Sequence, residues 1–308
     1  TTKTMSKFIN PFTDYGFKLI FGREVSKILL IEFLNDLLEG ERVITDLTFL
    51  NNEQLPDYPE GRGIIYDVYC TTDTGEKIIV EMQNRMQSNF KERSIFYLSR
   101  AIVNQGRTGH DWKFEIKAVY GVFLMNFIMD KNIKLRTDVI LADKETGELF
   151  SEKFRQIFIA LPLFKKSEEE CETNFERWIY ILNNMETLKR LPFKARKAVF
   201  EKLEEIADVA SMSPKERELY DNSVKVYRDY LVTMDAAEKE GIKKGMEEGL
   251  KKGLEEGLEE GLKKGLKKGR EEALNIFQTA IDMKKQGIDN QLIAEKTGLP
   301  LSLIESLK

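Results

Sequence analysis

The alternation of apolar and polar positions is sharpest between Ile64 and Asn84. Two β-rich runs, Ile64–Cys70 and Lys77–Asn84, flank a turn carrying Asp73 and Gly75, which predicts a β-hairpin. Strand side chains alternate between faces, so Tyr66, Val68, Cys70, Ile78, Val80 and Met82 fall on one face and Asp67, Glu81 and Gln83 on the other. A hairpin centred on Thr74 sets Asp67 opposite Glu81; one centred on Gly75 sets it opposite Gln83. A one-residue slip would oppose acids to apolar residues and is disfavoured.

Before the hairpin, Asp14 and Lys18 stand one helical turn apart, as do Phe17 and Phe21. Residues Ser26–Leu38 are apolar at helical spacing and end near Gly40, a C-cap residue. Arg42–Leu50 reads as a strand, and Asn51–Gly63, with Pro56, Pro59 and Gly61, as a loop. After the hairpin, Ser88 is the expected N-cap of a helix reaching about Asn104. On it Arg93, Arg100 and Arg107 recur every seven residues, hence along one face. That stripe is either a solvated face or a set of phosphate contacts. Phe114–Phe127, Lys134–Leu141 and Phe150–Leu161 read as strands, with a turn over Asp143–Glu148.

From Ser167 to Ala237 helical periodicity takes over and predicts three helices, the last starting at Ser213-Pro214-Lys215-Glu216. Residues 241–269 form a repeat: Gly stands at every fourth position, Ile, Met or Leu follows seven of the eight glycines, and Lys or Glu pairs fill the rest. Each Gly costs about 1 kcal/mol against Ala in a helix, so a lone helix here is expected to be marginal or frayed. The repeat is either a self-associating helical tail, favoured by small residues that let backbones approach, or a charged tether. Ala273–Lys285, Asn290–Thr297 and Pro300–Leu307 complete the chain as short helices, with Gly287 as a cap. Ala294 and Gly298 fit a helix-turn-helix spacing, but the last helix has only Lys308 as a cation, which favours a packing or dimer module over a DNA reader.

Composition narrows the function. At 308 residues and 42% hydrophobic content the chain can build a sizeable core, and 32% charged residues suit a soluble, cytoplasmic protein. A net charge of −4 argues against tight non-specific DNA binding but permits a local basic patch. Two cysteines, Cys70 and Cys171, make no disulfide framework. The single histidine, His110, excludes His-rich metal sites and argues against a Ser-His-Asp triad. Thr1–Pro11 shows no signal peptide, and no apolar run reaches membrane-spanning length.

Carboxylates opposed across strands repel. Either a hard cation such as Mg²⁺ or Mn²⁺ joins Asp67 and Glu81, or their face is solvated or paired with Arg or Lys. Asp67 followed by Glu81-Met82-Gln83 resembles the metal site of PD-(D/E)XK nucleases. The segment from Asn10 to Gly22, Asn-Pro-Phe-Thr-Asp-Tyr-Gly-Phe-Lys-Leu-Ile-Phe-Gly, is similar to the opening of the PD-(D/E)XK nuclease family transposases, or recombination-promoting nucleases, and the likeness spans about Phe8–Tyr230. The departure is Gln83, where the superfamily usually has Lys.

The resemblance implies an α/β fold with a PD-(D/E)XK, restriction-endonuclease-like, mixed-sheet core over 1–165; periodicity and the repeat add a helical subdomain over 166–238, the repeat helix over 239–272 and a small helical module over 273–308. It implies a Mg²⁺- or Mn²⁺-dependent DNA endonuclease linked to recombination or mobile elements. Asp67, Glu81 and the Met82 carbonyl would hold the metal, Gln83 would orient a water, Arg93, Arg100 and Arg107 would contact DNA, and Asp14 and Lys18 are possible accessory groups. The other reading is a retained fold without the chemistry, acting by binding DNA or by assembling with itself through the repeat.

Overall fold

The structure is a computed structural model describing residues 6–55, 63–107, 109, 112–193 and 197–307. His110 and the Pro56, Pro59 and Gly61 part of the expected loop lie outside the described residues. Two compact units are present, residues 1–230 and 231–308.

The first unit is built on six strands: β1 (Leu47–Phe49), β4 (Val68–Thr72), β5 (Lys77–Gln83), β6 (Val119–Met125), β7 (Arg136–Ala142) and β8 (Leu149–Ala160). Their order is β1-β4-β5-β6-β8-β7, antiparallel except for the parallel pairs β5/β6 and β6/β8. Helix α3 (Phe90–Val103) makes the β5-to-β6 crossover and covers one face with Phe90, Leu98 and Ala101. Helices α1 (Asp14–Phe21), α2 (Lys27–Leu37), α4 (Asn174–Asn184) and α5 (Val199–Ala207) cover the other. There Phe21, Phe33, Trp178 and Phe200 stack at centroid distances of 5.1–5.9 Å. Asp36 ties the helices together by accepting from the Trp178 indole N–H at 2.9 Å and pairing with Lys197. Sheet-central β5 is buried on both faces, which explains its nearly unbroken apolar run and makes Glu81 and Gln83 exceptions within it.

The hairpin takes the register centred on Thr74, with Val68 opposite Val80 and Cys70 opposite Ile78. Its turn is closed by Glu76, whose carboxylate accepts from the Thr72 and Thr74 hydroxyls and from Arg42. Five expectations are corrected. Ile64–Ile65 (β3) leaves the main sheet to pair with Glu53–Gln54 (β2), and the chain bends at Asp67. Because of that bend, Tyr66 packs on the α3 face against Tyr69 and Tyr97 instead of sharing a face with Val68. The polar face is not solvated, since α3 covers it: Glu81 is 1% exposed. The expected Arg42–Leu50 strand shrinks to β1, and Asn89, not Ser88, precedes the first turn of α3, with no side-chain cap hydrogen bond.

Two glycines allow close approaches. A Cβ on Gly121 of β6 would lie 2.5 Å from Leu98 Cδ1, so its absence lets α3 settle onto the sheet. A Cβ on Gly16 would lie 2.2 Å from the Asn10 carbonyl oxygen. That carbonyl accepts from the Thr13 hydroxyl at 2.8 Å, and Thr13 in turn caps α1 by accepting from Gly16 N at 3.0 Å. The Asn-Pro-Phe-Thr-Asp-Tyr-Gly opening is therefore one tight turn with its helix cap.

Helix α6 (Pro214–Lys285) begins in this unit, with Ser213 and Glu216 hydrogen-bonded to each other as the sequence predicted. It continues as one helix through the glycine repeat, where fraying was expected. In the second unit, Ala280 of α6, Ile293 of α7 (Asn290–Thr297) and Ile304 of α8 (Leu301–Ser306) form a small core, with Gly287 and Gly298 at the helix ends.

Two outcomes are expected. Gly16→Ala, meeting backbone instead of a movable side chain, should destabilise the protein by about 2–3 kcal/mol in urea unfolding; an unchanged midpoint would contradict the close approach. Burial opposes ionisation of Glu76, but its hydroxyl, backbone and Arg42 partners outweigh burial and hold its pKa at about 2 instead of the ordinary 4.5. A lowered carboxyl pKa contributes stability above the unfolded-state value, and that contribution is lost as pH falls through the folded-state value. Glu76→Gln should thus be less stable than wild type at pH 7, with the gap closing as pH drops from 4.5 to about 2.

Candidate active site

The bend at Asp67 and the end of β5 place two carboxylates together. Asp67 N donates to Glu81 Oε1 at 3.1 Å, and Met82 N donates to Asp67 Oδ2 at 2.9 Å, so each strand's backbone holds the other's acid. Gln83 Nε2 donates to Glu81 Oε2 at 3.0 Å. From α3, the Arg93 guanidinium lies 3.8 Å from the same Glu81 oxygen and over the Tyr97 ring at 5.1 Å. It is anchored by the Gln87 side chain at 2.9 Å. Tyr66 closes the α3 side by donating to the Tyr97 carbonyl at 3.0 Å.

Burial raises the Glu81 pKa, and the Asp67 charge raises it further, against the Asp67 N–H, Arg93 and Gln83. Burial likewise raises Asp67, opposed by the Met82 N–H and the Lys18 charge, while Asp14 adds to the rise. One half-buried arginine at 3.8 Å does not offset the buried Glu81 and the half-buried Asp67, so the pair strains toward its protonated form. Each carboxylate keeps spare acceptor capacity: among the described residues Asp67 Oδ1 takes no hydrogen bond, and the Glu81 oxygens take one each. Asp67 and Glu81 are the residues that can hold a hard cation; no group of three or more His, Cys, Asp and Glu side chains gathers at one point among the described residues.

Asp14 and Lys18 form the surface ion pair that their spacing allows, 2.7 Å apart, and their charges also reach Asp67. The arginine stripe divides. Arg93 enters the site, whereas Arg100 Nη2 donates to the Leu55 carbonyl at 2.7 Å. Arg107 is corrected: α3 ends at Val103, so Arg107 stands on the exposed segment beyond it and shares no helix face with the others.

Sequence reading missed that Tyr97, Asn84 and the first turns of α6 support the site. Tyr97 was available from its spacing, one turn after Arg93. Asn84, next to Gln83, donates to the Phe12 carbonyl at 2.6 Å, while its own carbonyl accepts from the Tyr230 hydroxyl at 2.9 Å. Nearby, the Asn10 N–H donates to the Tyr220 hydroxyl at 2.8 Å, and Asn126 Nδ2 to the Tyr227 hydroxyl at 3.2 Å. The opening segment and α6 thus grip the end of the strand that carries both acid and amide. No local periodicity encodes contacts between residues this far apart in sequence. Two cavities, of 270 Å³ beside Tyr120 and Arg155 and of 370 Å³ over Gln156 and Phe158, lie away from the carboxylate pair.

No helix of the described residues is long and apolar enough to cross a membrane. No curated protein matches the chain, and no solved structure does. A sequence profile of the PD-(D/E)XK nuclease family transposases matches residues 11–237, which hold the opening turn, the whole mixed sheet, the carboxylate pair and the start of α6. With most of its length matched, the chain belongs to the PD-(D/E)XK nuclease family of transposases.

Proposed function

We propose that the protein is a divalent-metal-dependent DNA endonuclease acting in recombination or element mobility. The observation carrying this reading is the pair of buried Glu81 and half-buried Asp67, fixed by each other's backbone and left without a full counter-charge. A structural role explains it poorly, because a buried uncompensated acid costs stability. A hard cation with oxygen ligands fits the donor set, Mg²⁺ or Mn²⁺ being the candidates, with the Met82 carbonyl as a further ligand. When bound, such an ion supplies Lewis-acid polarisation of a phosphate oxygen and a water of lowered pKa.

The chain's own groups have distinct roles. Asp67 and Glu81 hold the ion in their ionised forms. Gln83 fixes the Glu81 carboxylate through Nε2, and its Oε1 is left to accept a hydrogen bond from the attacking water. Gln83 brings no charge, so Arg93 and Lys18 supply the positive potential that steadies the scissile phosphate. Arg100 adds a backbone phosphate contact independent of sequence.

Four results are expected. Plasmid DNA should be nicked with Mg²⁺ and not with chelator, and Asp67→Ala should abolish nicking; nicking that persists in the variant would point to a contaminant. Absence of nicking in the wild type with Mg²⁺ and Mn²⁺ would favour the reading of a DNA-binding or assembly protein on a retained fold. The raised acid pKa values set a second sign: a carboxyl with a raised folded-state pKa loses stability as pH rises. Asp67→Asn should therefore be more stable than wild type at pH 7 in chelator, by roughly 1 kcal/mol, while losing any stabilisation by Mg²⁺. Metal affinity of the wild type should rise with pH, because the proton competes with the ion. Arg100→Ala should weaken DNA binding equally for all sequences and reduce the salt slope by about one; an unchanged slope would return Arg100 to a solvated role.

A further inference from the structure

In residues 241–269 of α6, Leu250, Leu254, Leu258, Leu262 and Leu266 are 65–77% exposed, and a Cβ built on any of the eight repeat glycines would meet nothing within 4 Å. A lone helix thus carries a stripe of apolar side chains and bare backbone with no cover among the described residues. The charges beside that stripe are ordered. From Gly249 the blocks run Lys251-Lys252, Glu255-Glu256, Glu259-Glu260, Lys263-Lys264, Lys267-Lys268, Glu271-Glu272. The last three invert the first three when read from the centre outward. A parallel, in-register pair of such helices would set Lys against Lys and Glu against Glu at every block. An antiparallel pair with its two-fold axis between Gly261 and Leu262 sets each block against one of opposite sign.

We propose that this stripe is covered by a second copy of the chain, as an antiparallel helix pair centred between Gly261 and Leu262. In that register Leu258 packs against the partner's Gly265, Leu262 against the partner's Gly261 and Leu254 against the partner's Gly269, so each leucine seats on bare backbone and the helices approach closely. Lys251 and Lys252 meet the partner's Glu271 and Glu272, and Glu255 and Glu256 meet the partner's Lys267 and Lys268. Opposite signs across such a pair set orientation and register. A four-residue step turns about 40° beyond one full helical turn, so the stripe winds around the helix and only about four repeats can face a partner at once. Leu254, Leu258, Leu262 and Leu266 are those four. Ion pairs within the helix, such as Lys264 with Glu260 at 2.7 Å, do not compete strongly, because exposed pairs of this kind contribute little. The inference stands apart from the nuclease reading and survives its failure.

The full-length protein should sediment as a dimer at micromolar concentration. Glu255→Lys with Glu256→Lys should shift it to monomer at unchanged helix content by circular dichroism, and adding Lys267→Glu with Lys268→Glu should restore the dimer. Under mild oxidation, Leu254→Cys should cross-link in a mixture with Gly269→Cys and not with itself. A monomeric wild type, as a tether would give, overturns the proposal. So does a single-cysteine variant that cross-links to itself, which marks a parallel pair, or a charge reversal that leaves the mass unchanged.

Discussion

Two carboxylates held together, Glu81 out of water and Asp67 half-buried, set the terms for the structure around them. Asp67 and Glu81 come from adjacent antiparallel strands, and each is gripped by a backbone N–H of the other's strand. Their repulsion cannot relax without breaking the hairpin register. The bend at Asp67 brings its carboxylate to the strand end, the missing side chain of Gly121 lets α3 lie close, and α3 brings Arg93 to within 3.8 Å of Glu81. On the other side, Asn84 fastens the end of β5 to Phe12 and Tyr230. The opening turn and the first part of α6 are thus parts of the site's support, although neither supplies a metal ligand.

Much of this was legible in sequence, for a physical reason. Period-two patterning forbids a one-residue slip, so a shared face for Asp67, Glu81 and Gln83 followed from Val68, Cys70, Ile78 and Val80 being apolar, while the choice between Glu81 and Gln83 as the partner of Asp67 stayed open. Capping chemistry located the start of α6 at Ser213. What escaped were features set by long-range packing. Tyr66 changed face because Ile64 and Ile65 pair elsewhere. The acid face proved buried because α3 covers it, which no hairpin pattern reveals. The heptad spacing of Arg93, Arg100 and Arg107 assumed a helix longer than the one that forms. Asn84 and Tyr230 are contacts between chain segments, with no local signature.

Local propensity and observed structure part most clearly in α6. Eight glycines should weaken a helix, yet it runs unbroken from Pro214 to Lys285. Lys and Glu blocks four residues apart supply ion pairs along it, including Lys244 with Glu240 and Lys264 with Glu260, each at 2.7 Å. Such pairs are worth about 0.3–0.5 kcal/mol each, less than the glycine cost, so the helix gains from whatever covers its apolar stripe. The same residues that make it fragile alone, bare at glycine and exposed at leucine, suit it to close packing against another helix.

The central claim is that the Asp67 and Glu81 pair exists to hold a divalent cation. Anomalous diffraction from crystals of the protein soaked in Mn²⁺ tests it most directly. The account predicts a peak between the two carboxylates, lost in crystals of Asp67→Asn soaked identically. A featureless map there at a Mn²⁺ concentration that supports nicking, or a peak confined to other acids, would contradict it.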